Sequence, residues 1–287
     1  MSETGFLSQI KRLKKQAKNG KVQIEQTKVY PRYKSCKKCR GTLYTRDGNM
    51  CECMQDYILR NKCKKANISE RYYYSNLEFY TENMEELLVY INNNRQAYTV
   101  YDFVEYLQSY IETFDNRMKD GRGFMLIGDV GCGKTGALNY VLMKLALKNR
   151  NVYYLDTNEL LELISKTYEK AYTDDKCEAI KILERIKTVD LLVLDDFGSE
   201  YTKSLDWVYN IFLKLVKSRY SKNMPTLMSS NLDMSKLMGK FSADVTPRLS
   251  SVFSEAFEVL TLKNTKDMRI EKGKKSLMSK MKRELRQ

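Results

Sequence analysis

The sequence predicts an α/β protein in which helices flank a central parallel sheet, preceded by a small cysteine-rich module. From Arg122 onward, short apolar runs (FMLIG, NVYYLD, DLLVLDD and PTLMSSN) alternate with amphipathic helical patterns, as expected for parallel strands covered on both faces. Five of the seven cysteines lie between residues 36 and 63, a clustering typical of a metal-binding module. A length of 287 residues fits about two domains.

The composition excludes several classes of protein. With 43% hydrophobic and 30% charged residues, the chain is neither a disordered nor a membrane protein. Its apolar runs are far shorter than the roughly 18 residues of a spanning helix, and its first residues lack the apolar stretch of a signal peptide. We therefore expect a cytoplasmic protein without a membrane partner. The absence of histidine excludes Ser-His and Cys-His catalysis and histidine-ligated metals.

The charge of the chain is concentrated at its two ends. Residues 1–80 carry 18 basic and 7 acidic side chains, residues 263–287 carry 10 and 3, and the segment between them is slightly acidic. Basic arms favour a polyanionic partner such as nucleic acid, because phosphate neutralisation releases counterions. Two solvated basic tails are the alternative.

We divide the chain into three regions. Residues 1–80 combine a basic helix over about 5–28 with the cysteine-rich, zinc-binding module and a linker. Residues 81–269 form the α/β domain, and residues 270–287 form a basic tail.

Helical patterns occur before and within the α/β region. Before the first strand they cover about 83–93 and 102–118. Later helices begin at Lys134, near Asp156 and at Ser204, and the Asp and Ser side chains can cap free backbone N–H groups.

A glycine-rich loop lies between the strand FMLIG and the helix that begins at Lys134. The segment GDVGCGKT matches the phosphate-binding pattern G-x-x-x-x-G-K-[ST]. Its glycines let consecutive N–H groups face nucleotide phosphates at the positive end of the helix dipole. We expect Lys134 to reach the β and γ phosphates of ATP and the Thr135 hydroxyl to bind Mg²⁺. The predicted nucleotide-binding residues are Gly128, Asp129, Val130, Gly131, Cys132, Gly133, Lys134, Thr135 and Gly136.

The second half of a nucleotide site is an apolar strand that ends in carboxylates. Leu191 to Leu194 form such a strand and are followed by Asp195 and Asp196. We expect Asp195 to bind Mg²⁺ through its water shell and Asp196 to polarise the attacking water.

Two further features border this loop. Cys132 lies beside a lysine and a helix N-terminus, which predicts a lowered thiol pKa. Four tyrosines precede the first strand, and they either stack on nucleic-acid bases or pack the linker against the core near the adenine. These tyrosines are Tyr72, Tyr73, Tyr74 and Tyr80.

Over about residues 68–270, these motifs resemble the AAA+ ATPases of the bacterial helicase-loader type, DnaC and DnaI, with the transposition helper IstB as close kin. Besides GDVGCGKT, the resemblance rests on VLDDFGSE, the strand end SSN, TPRLSS and KDMR. It implies that Asn231 senses the γ-phosphate, that Arg248 acts in trans on the nucleotide of a neighbouring copy, and that Arg269 acts in cis. Asp244 stands where loaders often carry a further arginine.

The resemblance also implies a function. Such a protein would be an ATPase, weak alone and stimulated by DNA and assembly, that recruits a replicative DNA helicase and places it on single-stranded DNA during replication initiation. Hydrolysis of ATP would release it. Two alternatives remain, an IstB-like transposition helper and a zinc-containing adaptor that binds ATP but scarcely hydrolyses it.

The cysteine cluster predicts a zinc site of four thiolates. Cys36-x-x-Cys39 and Cys51-x-Cys53 are two close pairs joined by a loop with turn signals, and Cys63 is a possible substitute for one ligand. A module this small would obtain most of its folding free energy from the metal. It could contact DNA or a protein, and the resemblance favours the helicase.

Overall fold

The computed structural model describes residues 29–92, 94, 96–168, 173–199, 205–240, 246–263 and 267. The predicted basic helix over 5–28, the cap at Ser204, Asp244, Arg269 and the tail 270–287 lie outside the described residues. The chain divides into two compact units between Asn61 and Lys62. Residues 62–80 therefore belong to the second unit.

The first unit is built around the cysteine-rich segment. A 3-10 turn over Pro31–Tyr33 precedes it, and Tyr44 and Met50 form an antiparallel bridge across a turn in which Gly48 has a φ of 75°. The chain then enters helix α1 (Glu52–Lys65), whose last residues belong to the second unit.

The second unit contains a sheet of seven described strands. Its strand order is β2-β1-β7-β3-β6-β5-β4, the last five strands in this order are parallel, and β1 pairs antiparallel with both its neighbours. The strands are β1 (Leu88–Ile91), β2 (Ala97–Tyr98), β3 (Gly123–Gly128), β4 (Val152–Asp156), β5 (Leu191–Asp195), β6 (Thr226–Ser230) and β7 (Phe257–Lys263).

Helices cover the sheet and connect its strands. They are α2 (Glu78–Asn83), α3 (Val100–Glu112), α4 (Phe114–Asp120), α5 (Lys134–Leu147), α6 (Thr157–Thr167), α7 (Asp174–Ile186), α8 (Leu205–Tyr220), α9 (Met234–Met238) and α10 (Thr246–Ala256). Asp156 caps α6, because its carboxylate accepts a hydrogen bond from the Asn158 N–H at 2.8 Å. None of the described helices is both long and apolar enough to cross a membrane.

The apolar runs of the sequence form the centre of the sheet, which confirms the predicted fold class. All five residues of β5 and of β6 are buried, and in β3 only Gly128 is partly exposed. Strands that are buried on both faces need this continuous apolar character. Because β3, β5 and β6 are adjacent and parallel, the polar residues that follow them reach the same edge of the sheet.

The helix predicted over 83–93 is wrong in its second half. Residues 88–91 form β1, which pairs with β7 more than 160 residues further along the chain, with Val89 opposite Leu262. Leu88 is 41% exposed and its two neighbours are buried, an alternation that suits a strand. A short apolar run is ambiguous in sequence, and the long-range partner decides its conformation.

Candidate nucleotide and metal sites

The phosphate-binding loop connects β3 to α5, as its sequence predicts. Gly133 stands at the N-terminus of α5 with a φ of 92°, a conformation that favours glycine. A Cβ at this position would lie 2.8 Å from the ring of Tyr80. The Tyr80 hydroxyl donates a hydrogen bond to the Gly133 carbonyl at 2.7 Å, so the tyrosine and the glycine fix the loop together.

Lys134 is buried beneath this loop, with 6% of its surface exposed. Its ammonium donates hydrogen bonds to the carbonyl oxygens of Gly128 at 2.6 Å and Asp129 at 2.9 Å. A third bond of 2.7 Å goes to Oδ1 of Asn231, which follows β6. The lysine thus connects the phosphate loop to the neighbouring strand end.

Asp195 ends β5 and is 3% exposed. Its Oδ2 accepts a 2.7 Å hydrogen bond from the Tyr154 hydroxyl, and its Oδ1 accepts a short hydrogen bond from Ser229. Burial, followed by the charge of Asp195, raises the pKa of Tyr154 well above its ordinary value. Tyr154 is therefore a neutral donor at physiological pH.

Asp196 turns away from the strand with a φ of 59°, an uncommon backbone conformation for a non-glycine residue. Its N–H donates to the Ser229 hydroxyl at 3.0 Å. Its Oδ1 accepts a 2.5 Å hydrogen bond from Nδ2 of Asn231. Asn231 consequently bonds to Lys134 through its oxygen and to Asp196 through its nitrogen.

A cavity of about 640 Å³ adjoins these groups. One wall is the phosphate loop, and another is the segment before α2, which contains Tyr72 and Tyr74. The residues that line the cavity are Arg71, Tyr72, Tyr74, Ser75, Asn76, Phe79, Tyr80, Val130, Gly131, Gly133, Lys134, Thr135, Gly136, Asp156, Asp195, Asp196, Ser229 and Asn231.

The donors at this cavity suit a hard divalent cation. Asp156, Asp195 and Asp196 supply carboxylates and Thr135 supplies a hydroxyl, and Mg²⁺ prefers oxygen ligands. Burial raises the pKa of Asp156; the N–H of Asn158 opposes this change, and the charges of Asp195 and Asp196 add to it. A cation would relieve this crowding of negative charge.

The expectation of a lowered Cys132 pKa is wrong. The thiol is 2% exposed, and burial raises its pKa more than the nearby Lys134 ammonium lowers it. Removal from water disfavours the thiolate, and this outweighs the lysine charge.

The two arginines that the resemblance singles out have different positions. Arg248 is exposed on the first turn of α10 and is not among the described residues that line the cavity. Arg269 lies outside the described residues.

Sequence reasoning missed three side chains at this site. Tyr154 and Ser229 hold the Asp195 carboxylate. Tyr80 was expected either to stack on bases or to pack the linker near the adenine, and its hydrogen bond to Gly133 was not foreseen. The strand-end pair Ser229-Ser230 before Asn231 was a usable signal, because small hydroxyl residues in a buried strand need hydrogen-bond partners. Tyr154 gave no such signal.

The first unit brings the four predicted zinc ligands together. The sulfur atoms of Cys36, Cys39, Cys51 and Cys53 all lie within 4.8 Å of one another, and those of Cys36 and Cys51 are 3.8 Å apart. A tetrahedron with Zn–S bonds of about 2.3 Å has edges of about 3.8 Å. The donor set therefore fits Zn²⁺. Cys63 is buried and lies outside this group.

Backbone groups support the cluster. The N–H groups of Cys39 and Lys38 lower the pKa of Cys36 to about 6, whereas burial raises the pKa of Cys53 to about 12, so a metal would have to displace the proton of Cys53. Arg40 and Gly41, directly after the second cysteine, have φ values of 50° and 91° and turn the chain back. The amide of Cys51 donates to the carbonyl of Leu43 at 2.9 Å, which closes the loop between the two pairs.

Comparison with known proteins gives information on the fold. No model of a protein family matches the sequence, and no curated protein matches it. Among solved structures, a protein described as a candidate primosome component from Streptococcus pyogenes serotype M3 is 18% identical, with a TM-score of 0.50 over 71% of this chain and 95% of that one. The DnaC helicase loader matches at 20% identity and a TM-score of 0.48 (68% and 100%), and DnaI at 20% and 0.47 (62% and 88%).

The match at a TM-score of 0.50 establishes the fold alone. The α/β unit has the fold of the Streptococcus pyogenes protein, with five parallel strands and the glycine-rich loop after β3. What the chain does has to be argued from its own residues.

Proposed function

We propose that this chain is an ATP-dependent loader of the AAA+ type that recruits a replicative DNA helicase and places it on single-stranded DNA. The observation that carries the proposal is the meeting of Lys134, Asp195, Asp196 and Asn231 at one cavity beside a phosphate-binding loop. Enzymes that transfer phosphoryl groups use lysine, carboxylate and amide groups, placed at the carboxyl end of parallel strands, to bind and orient the phosphates.

Binding of ATP would rearrange Lys134. Its ammonium now bonds to two loop carbonyls and to Asn231, and negatively charged phosphates are stronger acceptors for a cation. A γ-phosphate would therefore draw Lys134 away from Asn231 and give the Asn231 amide a new partner. This exchange is a physical basis for sensing whether the nucleotide is ATP or ADP.

The two carboxylates at the end of β5 would have different roles. Asp195 and Thr135 would hold Mg²⁺, which neutralises charge on the phosphate oxygens when bound. Asp196 would accept a hydrogen bond from the attacking water, and its 2.5 Å bond from Asn231 keeps its carboxylate oriented. Asp196 is one methylene shorter than glutamate, so the water would sit correspondingly closer to the strand.

Self-association would complete the site. Arg248 is exposed at the start of α10, so it is free to reach the nucleotide of a second copy. An arginine supplied in trans makes hydrolysis depend on assembly, because it stabilises charge that develops on the transferred phosphoryl group. We assign Arg269 to the cis nucleotide from the resemblance alone.

The first unit would recruit the helicase, and the basic ends would bind DNA. Residues 29–61 carry exposed cations around the cysteine cluster, and these are Arg32, Lys34, Lys37, Lys38, Arg40 and Arg46. Loss of the γ-phosphate would loosen the interface between copies and release the loader.

Loading of the helicase onto circular single-stranded DNA tests this function. A closed ring cannot thread onto a DNA circle that has no ends, so helicase retained on the circle after a high-salt wash reports ring opening. We expect the wild-type chain with ATP to load helicase, Lys134→Ala to lose nucleotide binding and loading together, and Cys36→Ser to bind nucleotide but lose the helicase. Lys236→Ala, an exposed residue of α9, is the control.

Each other outcome has a distinct meaning. Nucleotide binding without helicase loading would favour the adaptor, and stimulation of a transposase would favour the transposition helper. Mixing Lys134→Ala with Arg248→Ala tests the trans arrangement, since some interfaces in the mixture combine an intact Lys134 with an intact Arg248. We expect ATPase activity to recover on mixing, and no recovery would exclude a trans role for Arg248.

A further inference from the structure

The carboxylate of Asp195 is held from both sides by hydroxyl groups that belong to neither the phosphate loop nor the acidic strand end. Tyr154 on β4 donates to Oδ2 at 2.7 Å, and Ser229 on β6 donates to Oδ1. Since β5 lies between β4 and β6, each neighbouring strand fixes one oxygen. The arrangement leaves one orientation for a side chain that is 3% exposed.

The register of the sheet explains the position of Tyr154. Asp156 is the parallel partner of Asp195, and Tyr154 precedes Asp156 by two residues, so all three side chains project from the same face. Tyr153 and Leu155 project from the opposite face into the hydrophobic core. Alternation along β4 thus directs one of two adjacent tyrosines to the carboxylate and the other to the core.

The backbone of Tyr154 is also anchored. Its N–H donates to the carbonyl of Ala66 at 2.8 Å, and its carbonyl accepts a 3.0 Å hydrogen bond from Nδ2 of Asn67. Among the described strands, β4 is at the edge of the sheet, and Ala66 and Asn67 form hydrogen bonds with backbone groups on its outer side. Tyr154 is therefore held both by its backbone and by its side-chain hydroxyl.

We propose that Tyr154 is a positioning residue for the Mg²⁺ that Asp195 is proposed to hold. The inference rests on the proposed nucleotide site. A phenol hydroxyl orients the carboxylate with one hydrogen bond and adds no positive charge that would repel a cation, as a lysine or arginine would. Each carboxylate oxygen has two lone pairs, so one bond to each oxygen leaves others for the water shell of the metal. Partners of this kind determine metal affinity without touching the metal.

The test compares Tyr154→Phe with Tyr153→Phe, the same substitution one residue earlier on the same strand. Equilibrium binding of a fluorescent ATP analogue is measured by anisotropy, first in EDTA and then across a Mg²⁺ titration. For Tyr154→Phe we expect an unchanged affinity in EDTA and an increase of about tenfold in the Mg²⁺ concentration needed for half of the Mg²⁺-dependent tightening. Tyr153→Phe should match the wild type in both measurements.

A Mg²⁺ response of Tyr154→Phe equal to that of the wild type would overturn the inference. So would a parallel loss of affinity with and without Mg²⁺, because that result indicates a general folding role. Should Tyr154→Phe fail to fold, Asn67→Gly, which removes the Asn67 bonds to the Tyr154 carbonyl and to Glu159 and tolerates the φ of 58° at this position, must shift the Mg²⁺ midpoint in the same direction or the inference fails. A wild-type chain that binds no nucleotide at all would instead contradict the proposed function.

Discussion

The two units of this chain differ in how much apolar surface they bury. In residues 29–61 the buried apolar side chains are Cys39, Leu43 and Cys51, and two of these three are metal-ligand candidates. In the second unit, whole strands such as β5 and β6 are buried between helices. We expect a small unit with so little buried surface to depend on a metal for its folding, whereas the α/β unit has a hydrophobic core of its own.

The two units nevertheless share one backbone feature at their candidate sites, a non-glycine residue with a positive φ. Each uses a non-glycine residue with positive φ directly after a ligand or catalytic candidate: Arg40 follows Cys39 at 50°, and Asp196 follows Asp195 at 59°. Such residues are unfavourable by about 1–2 kcal/mol each. In both units a sharp change of chain direction brings functional atoms together, at a cost that the surrounding structure offsets.

Removal of a metal from the cysteine cluster should give the largest difference in folding between the two units. A tight chelator should unfold residues 29–61, because structural zinc contributes on the order of 10 kcal/mol to folding of small modules. The α/β unit should keep its fold and, once Mg²⁺ is restored in excess, its nucleotide affinity. Limited proteolysis with mass spectrometry locates the cleavage sites, and fluorescence of Trp207, the single tryptophan of the chain and a residue of α8, monitors the second unit.

Cys36→Ser should reproduce the effect of the chelator, and Cys177→Ser, a cysteine outside the cluster, should leave the protease pattern unchanged. Protection of residues 29–61 after complete metal removal would show that this unit does not depend on the metal, and the contrast between the two units would then disappear.

Truncation of a buried side chain in the α/β unit should destabilise that unit and leave the first unit unchanged. Phe253 is 1% exposed and contacts Phe257, with ring centres 5.4 Å apart. Phe253→Ala should lower the free energy of unfolding of the α/β unit by about 3–5 kcal/mol, because it leaves a cavity that the core cannot fill. Urea unfolding followed by Trp207 fluorescence measures the change, and the zinc content should stay the same.

The exposed Tyr101, on α3, provides the control. Tyr101→Ala should change the same free energy by less than about 0.5 kcal/mol. If Phe253→Ala also released zinc, the two units would not be independent in stability.

The sequence was sufficient for the centre of the fold and for the motif residues of the site. Apolar runs of five residues, flanked by helices, leave few alternatives to buried parallel strands, and a glycine-rich loop has to follow one of them. The convergence of Cys36, Cys39, Cys51 and Cys53 was predictable for a similar reason, since paired cysteines with short spacing can share one metal.

The remaining features depend on contacts between distant residues. The hydrogen bond from Tyr154 to Asp195 joins residues 41 positions apart and follows from the register of β4 on β5. The strand character of residues 88–91 requires β7. The pKa of Cys132 was misjudged because its neighbours in sequence predict a thiolate, whereas its burial, which only the fold reveals, favours the thiol.

The smallest predicted effect concerns the start of α3 and its dependence on pH. The Thr99 hydroxyl and N–H both donate to Asp102 at 2.7 Å, and they lower the pKa of Asp102 below its ordinary value. A carboxylate with a lowered folded pKa stabilises the protein above its unfolded pKa of about 3.9, and this contribution disappears as the pH falls through the folded value.

Asp102→Asn should therefore lower the stability of the α/β unit slightly at pH 7 and have no effect in strong acid. Urea unfolding of wild type and variant at several pH values, followed by Trp207 fluorescence, measures the difference between them. Taking this difference cancels any acid release of metal from the first unit, because such a release would occur in both proteins. If the difference in the free energy of unfolding stayed constant from pH 7 down to about pH 2, the charge of Asp102 would not be what stabilises this helix start. The asparagine amide would then destabilise it through its hydrogen-bonding geometry.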